Sequence, residues 1–323
     1  MLQTNQPLID LTKLSTDANN ISQQLIDYAA NYQQRCLVLL DPFLSPIDDP
    51  IIDYFASLNQ LHQVRIMHPS ILADKRPLLL ELNLADLFEQ QALSYIIDNA
   101  LSQLSANHLS HRGQQYCGWL FTNAAVNQVA DDLAKLALQK RHNKTLFLRF
   151  YDPAIFAQLI SLLTASQQKK LYGKIEHWAI LNHNRELVIH SNSSPLKPVL
   201  SGQLGLSEEQ LTQLYCIGIN NQMLQQQRLN NLISNIDTVT SLKQIMPSVA
   251  RMLAKKINDE TLLVEWAKLA IRFGMDFDLQ PSMIEQTQNF TIHYDYYRWL
   301  ESISTKNGQE IMQIKNKEYR GIK

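Results

Sequence analysis

Over roughly the first 190 residues, short apolar runs alternate with amphipathic ones, the texture of strands and helices layered together. Ile21, Leu25, Tyr28 and Tyr32 recur at helical spacing, and CLVLLD (36–41) then reads as a buried strand stopped by Asp41-Pro42. A helix is predicted from Pro50, because proline is tolerated at a first helical position. VRIM (64–67) and LLLEL (78–82) read as strands, and Leu84 to Leu104 reads as a helix capped by Asn83. YCGWLF (116–121) reads as a further strand, followed by a helix whose buried stripe is Val126, Val129, Leu133 and Leu136. TLFLRFY (145–151) is predicted to be a strand that hands over to the helix PAIFAQLISLL. Asp152 suits its N-cap and Pro153 its first position: the aspartate accepts from free backbone amides, and proline has none to lose. KIEHWAIL and ELVIHS read as a hairpin about the polar segment NHNR.

The polar stretch SNSSPLKPVLSGQ (191–203) is the expected domain boundary. Beyond it the pattern is helical, with runs from Ser207 to about Ile233, 240–257 and 259–273. Acidic residues at a start, Glu208 and Glu209, and Lys255-Lys256 at an end complement the helix dipole. The fold class predicted is α/β: an N-terminal mixed sheet flanked by helices (1–192), then a smaller all-helical lobe (206–280). The aromatic and basic stretch 281–323 is left without a structural assignment. No period of 20–50 residues repeats, which argues against a solenoid.

Composition narrows the partners. Twenty-nine basic residues against 30 acidic ones leave no global field to draw the chain to nucleic acid or an anionic membrane. No window is long and apolar enough for a membrane span, and the first residues lack a basic segment followed by an apolar run, so a cytoplasmic protein is expected. Cys36, Cys117 and Cys216 lie in apolar runs without CxxC spacing and read as buried thiols of a reducing compartment.

Chemistry is sparse. GxxxxGK[ST], GxSxG, HExxH and a GxGxxG after a strand are all missing, and only nine glycines occur, so no cofactor is expected. The most enzyme-like feature is the pair Asp41 and Asp152, both predicted at carboxyl ends of strands, where two carboxylates could hold magnesium for a hydrolase or phosphotransfer reaction. The competing reading is that each turns or caps the chain before proline. His177 and His190 become cross-strand neighbours if His183-Asn184 forms the hairpin turn, which would bring imidazoles together for zinc or simply leave half-buried strand histidines. His108 and His111 read as loop or helix-end residues. Arg149, in an apolar strand, needs a partner, and Asp152 is the natural one if the chain turns at Tyr151-Asp152; otherwise Arg149 is a direct partner contact.

These residues carry a resemblance. TLFLRFYDPAIFAQLISLLTASQQKKLYGKIEHWAIL (145–181) resembles the hallmark block of the type VI secretion effector chaperones, the Tap or TEC adaptors, first catalogued as a domain of unknown function. Arg149, Tyr151, Asp152, Pro153, Gly173 and Trp178 fill the positions that mark the block. LVLLD (37–41), RPLLLEL (76–82) and CGWLFT (117–122) are similar to its earlier strands, and LLVEWAKLAIRFGMDF (262–277) to a helix such proteins carry. The resemblance spans about residues 35–181. It implies a non-catalytic cytoplasmic adaptor that binds a type VI effector as cargo and loads it onto the VgrG spike protein. Asp41, Arg149, Asp152 and Pro153 are then structural, with no catalytic or metal residues. Aromatics are the expected partner-binding positions: Tyr151, Trp178, Tyr294, Tyr296, Tyr297 and Trp299. For Trp178 the core is the favoured reading over partner contact, and YDYYRW (294–299) is too dense in aromatics for all to be buried.

Overall fold

A computed structural model of the chain describes residues 7, 9–111, 113–192, 202–230, 237–290 and 293–305. The chain divides into two compact units, Met1–Ser207 and Glu208–Lys323. In chain order the first contains α1 (Thr16–Ala29), β1 (Arg35–Leu40), α2 (Pro50–Ser57), β2 (Leu61–Gln63), β3 (Leu78–Asn83), α3 (Leu87–Ser102), α4 (Ala106–His111) and β4 (Tyr116–Phe121). It continues with α5 (Val126–Leu136), β5 (Leu138–Arg141), β6 (Lys144–Phe147), α6 (Pro153–Leu162), α7 (Ala165–Tyr172), β7 (His177–Leu181) and β8 (Leu187–Ser191). Six strands form one sheet in the order β2-β3-β1-β4-β7-β8, and β5 and β6 form a separate hairpin.

The sheet with its flanking helices is the predicted architecture, but the pairing sense is not. Every described neighbour in it is antiparallel, where a mixed sheet was expected. The cause is visible in the strands. β1 and β4 are almost wholly buried apolar runs, a signature of parallel sheets because those are covered on both faces. Here helices cover both faces of an antiparallel sheet. On one face Cys36, Val38 and Leu40 join Trp119, Phe121, Ala179 and Leu181 in a core with α1, α2 and α3. On the other, Trp178 is fully buried and its ring lies 4.4 Å from that of Phe156 in α6.

Three local expectations shift. VRIM is not a strand: the edge strand is β2, one turn of sequence earlier, and Val64 only donates its amide to Pro77 O (2.8 Å) before the chain leaves the sheet. The cap of α3 is Asp86, whose Oδ1 accepts from Glu89 N (3.1 Å), because Asn83 still belongs to β3. TLFLRFY is a strand only as far as Phe147: β6 pairs with β5 and turns away from the main sheet, so Arg149 lies past the strand's end. The predicted boundary segment lies mostly outside the described residues. The first unit reaches past residue 192, since Leu204 is buried and donates its amide to Gln139 Oε1 (2.9 Å).

The second unit is helical: α8 (Glu208–Leu229), α9 (Thr238–Ala254), α10 (Glu260–Phe273), α11 (Pro281–Thr287) and α12 (His293–Thr305). Asp237 and Asp259 cap α9 and α10 through bonds to Thr240 N (2.8 Å) and Leu262 N (2.9 Å). α11 and α12 supply a structure for part of 281–323. The basic residues Lys315, Lys317, Arg320 and Lys323 lie outside the described residues.

Candidate functional site

Three Asp-Pro pairs in the first unit solve one local problem in one way. Proline has no amide hydrogen, so the aspartate before it accepts from the amide after it: Phe43 N to Asp41 Oδ1 (3.0 Å), Ile51 N to Asp49 Oδ1 (2.9 Å) and Ala154 N to Asp152 Oδ1 (3.0 Å). Each carboxylate is left with a second oxygen to satisfy. Asp49 Oδ2 accepts from Tyr116 Oη (3.0 Å) and Asn99 Nδ2 (2.9 Å), fastening the start of α2 to β4 and α3.

Asp41 and Asp152 share one cation. Arg149 Nη2 lies 2.6 Å from Asp41 Oδ2 and 3.3 Å from Asp152 Oδ2, and its Nε also donates to Asp41 Oδ2 (3.2 Å). Asp41 continues the alternation of Leu37 and Leu39, so it points to the face opposite Val38 and Leu40. A β-bulge aids the approach: β1 and β4 shift register between Leu39, which pairs with Gly118, and Leu40, which pairs with Tyr116. Gly118 has φ +145°, and a Cβ there would come within 2.6 Å of Ala179 O and 2.7 Å of Trp178 Nε1. Only glycine fits this bulge.

The cluster is largely dry. Asp41 side-chain exposure is 1% and Arg149 side-chain exposure 18%, and the guanidinium lies 4.8 Å over the ring of Phe43. Burial opposes the Arg149 charge, but the carboxylates of Asp152 and Asp41 outweigh it and raise its pKa. Burial also raises the Asp152 carboxyl above its usual value, partly offset by Arg149 and the Ala154 amide. Cys117 and Tyr151 stand close by, and burial pushes both up, so neither is poised as a nucleophile or base at neutral pH. The space between the two aspartates, where a magnesium ion would have to sit, is taken by the arginine.

The other predicted residues fall as follows. Pro153 begins α6, as expected. Arg149 finds Asp152 through the turn foreseen, closed by Asp152 N to Arg149 O (3.1 Å), but its shorter bond is to Asp41, 108 residues away. Sequence spacing carried no signal for that pairing beyond the unmatched charges themselves. His177 and His190 do not face each other: His177 pairs with Ser191 and His190 with Trp178, which puts them on opposite faces. His177 packs on Tyr28 (5.5 Å) and His190 on Phe156 (5.4 Å). Among the described residues no cluster of three or more His, Cys, Asp and Glu could hold a metal. His108 and His111 lie in α4.

Of the aromatics, Tyr151, Trp178, Tyr296 and Trp299 are buried, so a partner cannot touch them without rearrangement. Trp266 of α10 is the hub of the C-terminal cluster, with Phe277, Tyr296 and Trp299 rings at 5.0, 5.7 and 5.8 Å. Tyr297 is half-buried and donates to Asp259 Oδ1 (2.6 Å); Tyr294 is 62% exposed.

Fold and site thus define an α/β protein with a helical second unit, whose first unit buries an ion-pair network of one arginine between two carboxylates. Residues 68–170, about a third of the chain, match the family described as "Domain of unknown function (DUF4123)". The match contains RPLLLEL, CGWLFT and Arg149 to Pro153, and leaves out Asp41 and Trp178. No curated protein and no solved structure matches the chain. Among the described residues no helix is long and apolar enough to cross a membrane.

Proposed function

We propose that this protein is a non-catalytic adaptor that binds a type VI secretion effector in the cytoplasm and helps to load it onto the VgrG spike. The observation that carries the reading is the match over residues 68–170, which contains the Arg149-Phe150-Tyr151-Asp152-Pro153 block. The geometry of that block supports a scaffold role: every charged member is consumed in holding the loop after β1 to the start of α6. Arg149, standing between Asp41 and Asp152 and bonded to both, also weighs against a metal-dependent hydrolase built on those two residues. Tyr294 and Tyr297 are the predicted aromatics that a partner reaches without unpacking a core.

The test is co-purification of the tagged chain with a co-expressed type VI toxin and with VgrG, from cells expressing all three. Stoichiometric retention of the toxin is expected; a chain that retains neither protein sinks the reading. Magnesium-dependent thermal stabilisation, lost in Asp41→Asn, would instead revive the hydrolase.

A further inference from the structure

Above the Arg149 cluster, three loop segments of the first unit meet at the surface. The ring of Phe147, at the end of β6, lies 5.8 Å from Phe43 and 6.0 Å from His68, and His68 Nε2 is 3.1 Å from Thr145 O. Phe43 in turn lies under Arg149. This half-buried aromatic row is flanked by large apolar side chains left in solvent: Leu44 is 52% exposed, Met67 72% and Leu72 68%. Exposed apolar groups scattered singly need no explanation, but these adjoin one row on elements that the protein fixes firmly. Arg76 Nη2 reaches Met67 Sδ (3.6 Å), and Asp41 holds Phe43 by its amide.

The same segments are charged unlike the rest of the chain. Residues 42–48, 64–76 and 138–147 hold six basic residues (Arg65, Lys75, Arg76, Lys140, Arg141, Lys144) against two acidic ones (Asp48, Asp74), whereas the whole chain has a net charge of −1. Lys140 sits opposite Thr145 across the β5–β6 hairpin and so shares the face of Phe147, while Arg141 and Lys144 pair with each other on the reverse face.

We infer that this patch docks a protein segment in which an aliphatic or aromatic side chain is flanked by carboxylates. The inference rests on the adaptor reading for the partner being a protein, and it gives that partner a recognition chemistry. The apolar side chain covers Met67, Leu72 and the Phe147 edge; the carboxylates meet Lys140 and Arg65. Charge complementarity of this kind steers encounter and weakens with salt, while the apolar anchor sets residence time.

The test uses the full chain and a displayed library of random peptides as probe. Enriched peptides are expected to place Leu, Phe, Met or Trp among Asp and Glu. Their affinity is expected to fall about ten-fold or more in Met67→Asp/Leu72→Asp and in Lys140→Glu. All three positions are exposed, so melting temperatures should stay at the wild-type value, and a Met67→Leu variant should keep binding. No enrichment, enrichment without acidic residues, or equal affinity in the variants overturns the inference. Self-association of the wild-type chain that both variants abolish overturns it too, by assigning the patch to a second copy. Retention of the co-expressed toxin separates the two claims. If wild-type and variant chains retain it equally, the patch falls and the adaptor reading stands; if wild-type chain retains no toxin, the adaptor reading itself falls.

Discussion

Each unit holds one arginine between two aspartates, and the two arrangements carry different stakes. In the second unit Arg251 donates to both oxygens of Asp278 (2.8 and 2.6 Å) and to Met275 O (2.8 Å), with Asp276 at 3.3 Å. Its geometry is better than that of Arg149, which reaches only one oxygen of each carboxylate. Yet Arg251 is 30% and Asp276 61% exposed at the side chain, whereas Asp41 is 1% exposed. Water can replace Arg251 as a partner; it cannot easily replace Arg149. Burial, more than bond count, decides what such a cluster is worth.

Four substitutions would break or sharpen that contrast. The largest loss is expected for Arg149→Leu, which strands two carboxylates away from water and should cost about 3–5 kcal/mol in denaturant unfolding. Its pH dependence identifies the cause. Asp152 already holds its proton more tightly folded than unfolded, so its contribution is full below its unfolded value of 3.8 and declines as pH rises. Without Arg149 that decline should steepen, and the variant should approach wild-type stability in acid; a pH-independent deficit would mean lost packing instead. Gly118→Ala comes next, at roughly 2–3 kcal/mol, because the new methyl meets backbone at Ala179 and the bulge that seats Asp41 must move. Arg251→Leu should cost only about 1 kcal/mol, and a loss as large as that of Arg149→Leu would refute the argument from burial. The smallest effect concerns His190, whose pKa burial lowers. That group's stability is present above about 6.5 and lost as pH falls through its folded value, so His190→Phe should flatten the melting-temperature profile on the acid side.

The Asp-Pro pairs were readable because their chemistry is local: proline removes a donor and fixes where the next amide points, and the aspartate answers within two residues. Strands β1, β3, β4, β7 and β8 were readable from their apolar runs, and α8, α9 and α10 from their period. Direction of pairing was not, because two-sided burial erases the alternation that distinguishes antiparallel strands. The β5–β6 hairpin was missed because Phe147, Leu148 and Phe150 prolong the apolar run past the strand's true end. The histidine pair failed on register: an offset of one residue sends neighbours to opposite faces. The half-buried row at Phe43, His68 and Phe147 comes from three distant segments, so no local window could contain it.

The bond between Asp41 and Arg149 spans 108 residues, and that interval is also a delay. At a synthesis rate of about 5–20 residues per second, Asp41 leaves the ribosome roughly 5–20 s before its counter-ion exists. β1 can pair with β3 in that time, but its end cannot be buried with its charge intact. Burial of this corner with its charge intact is therefore expected to wait on the arrival of one guanidinium.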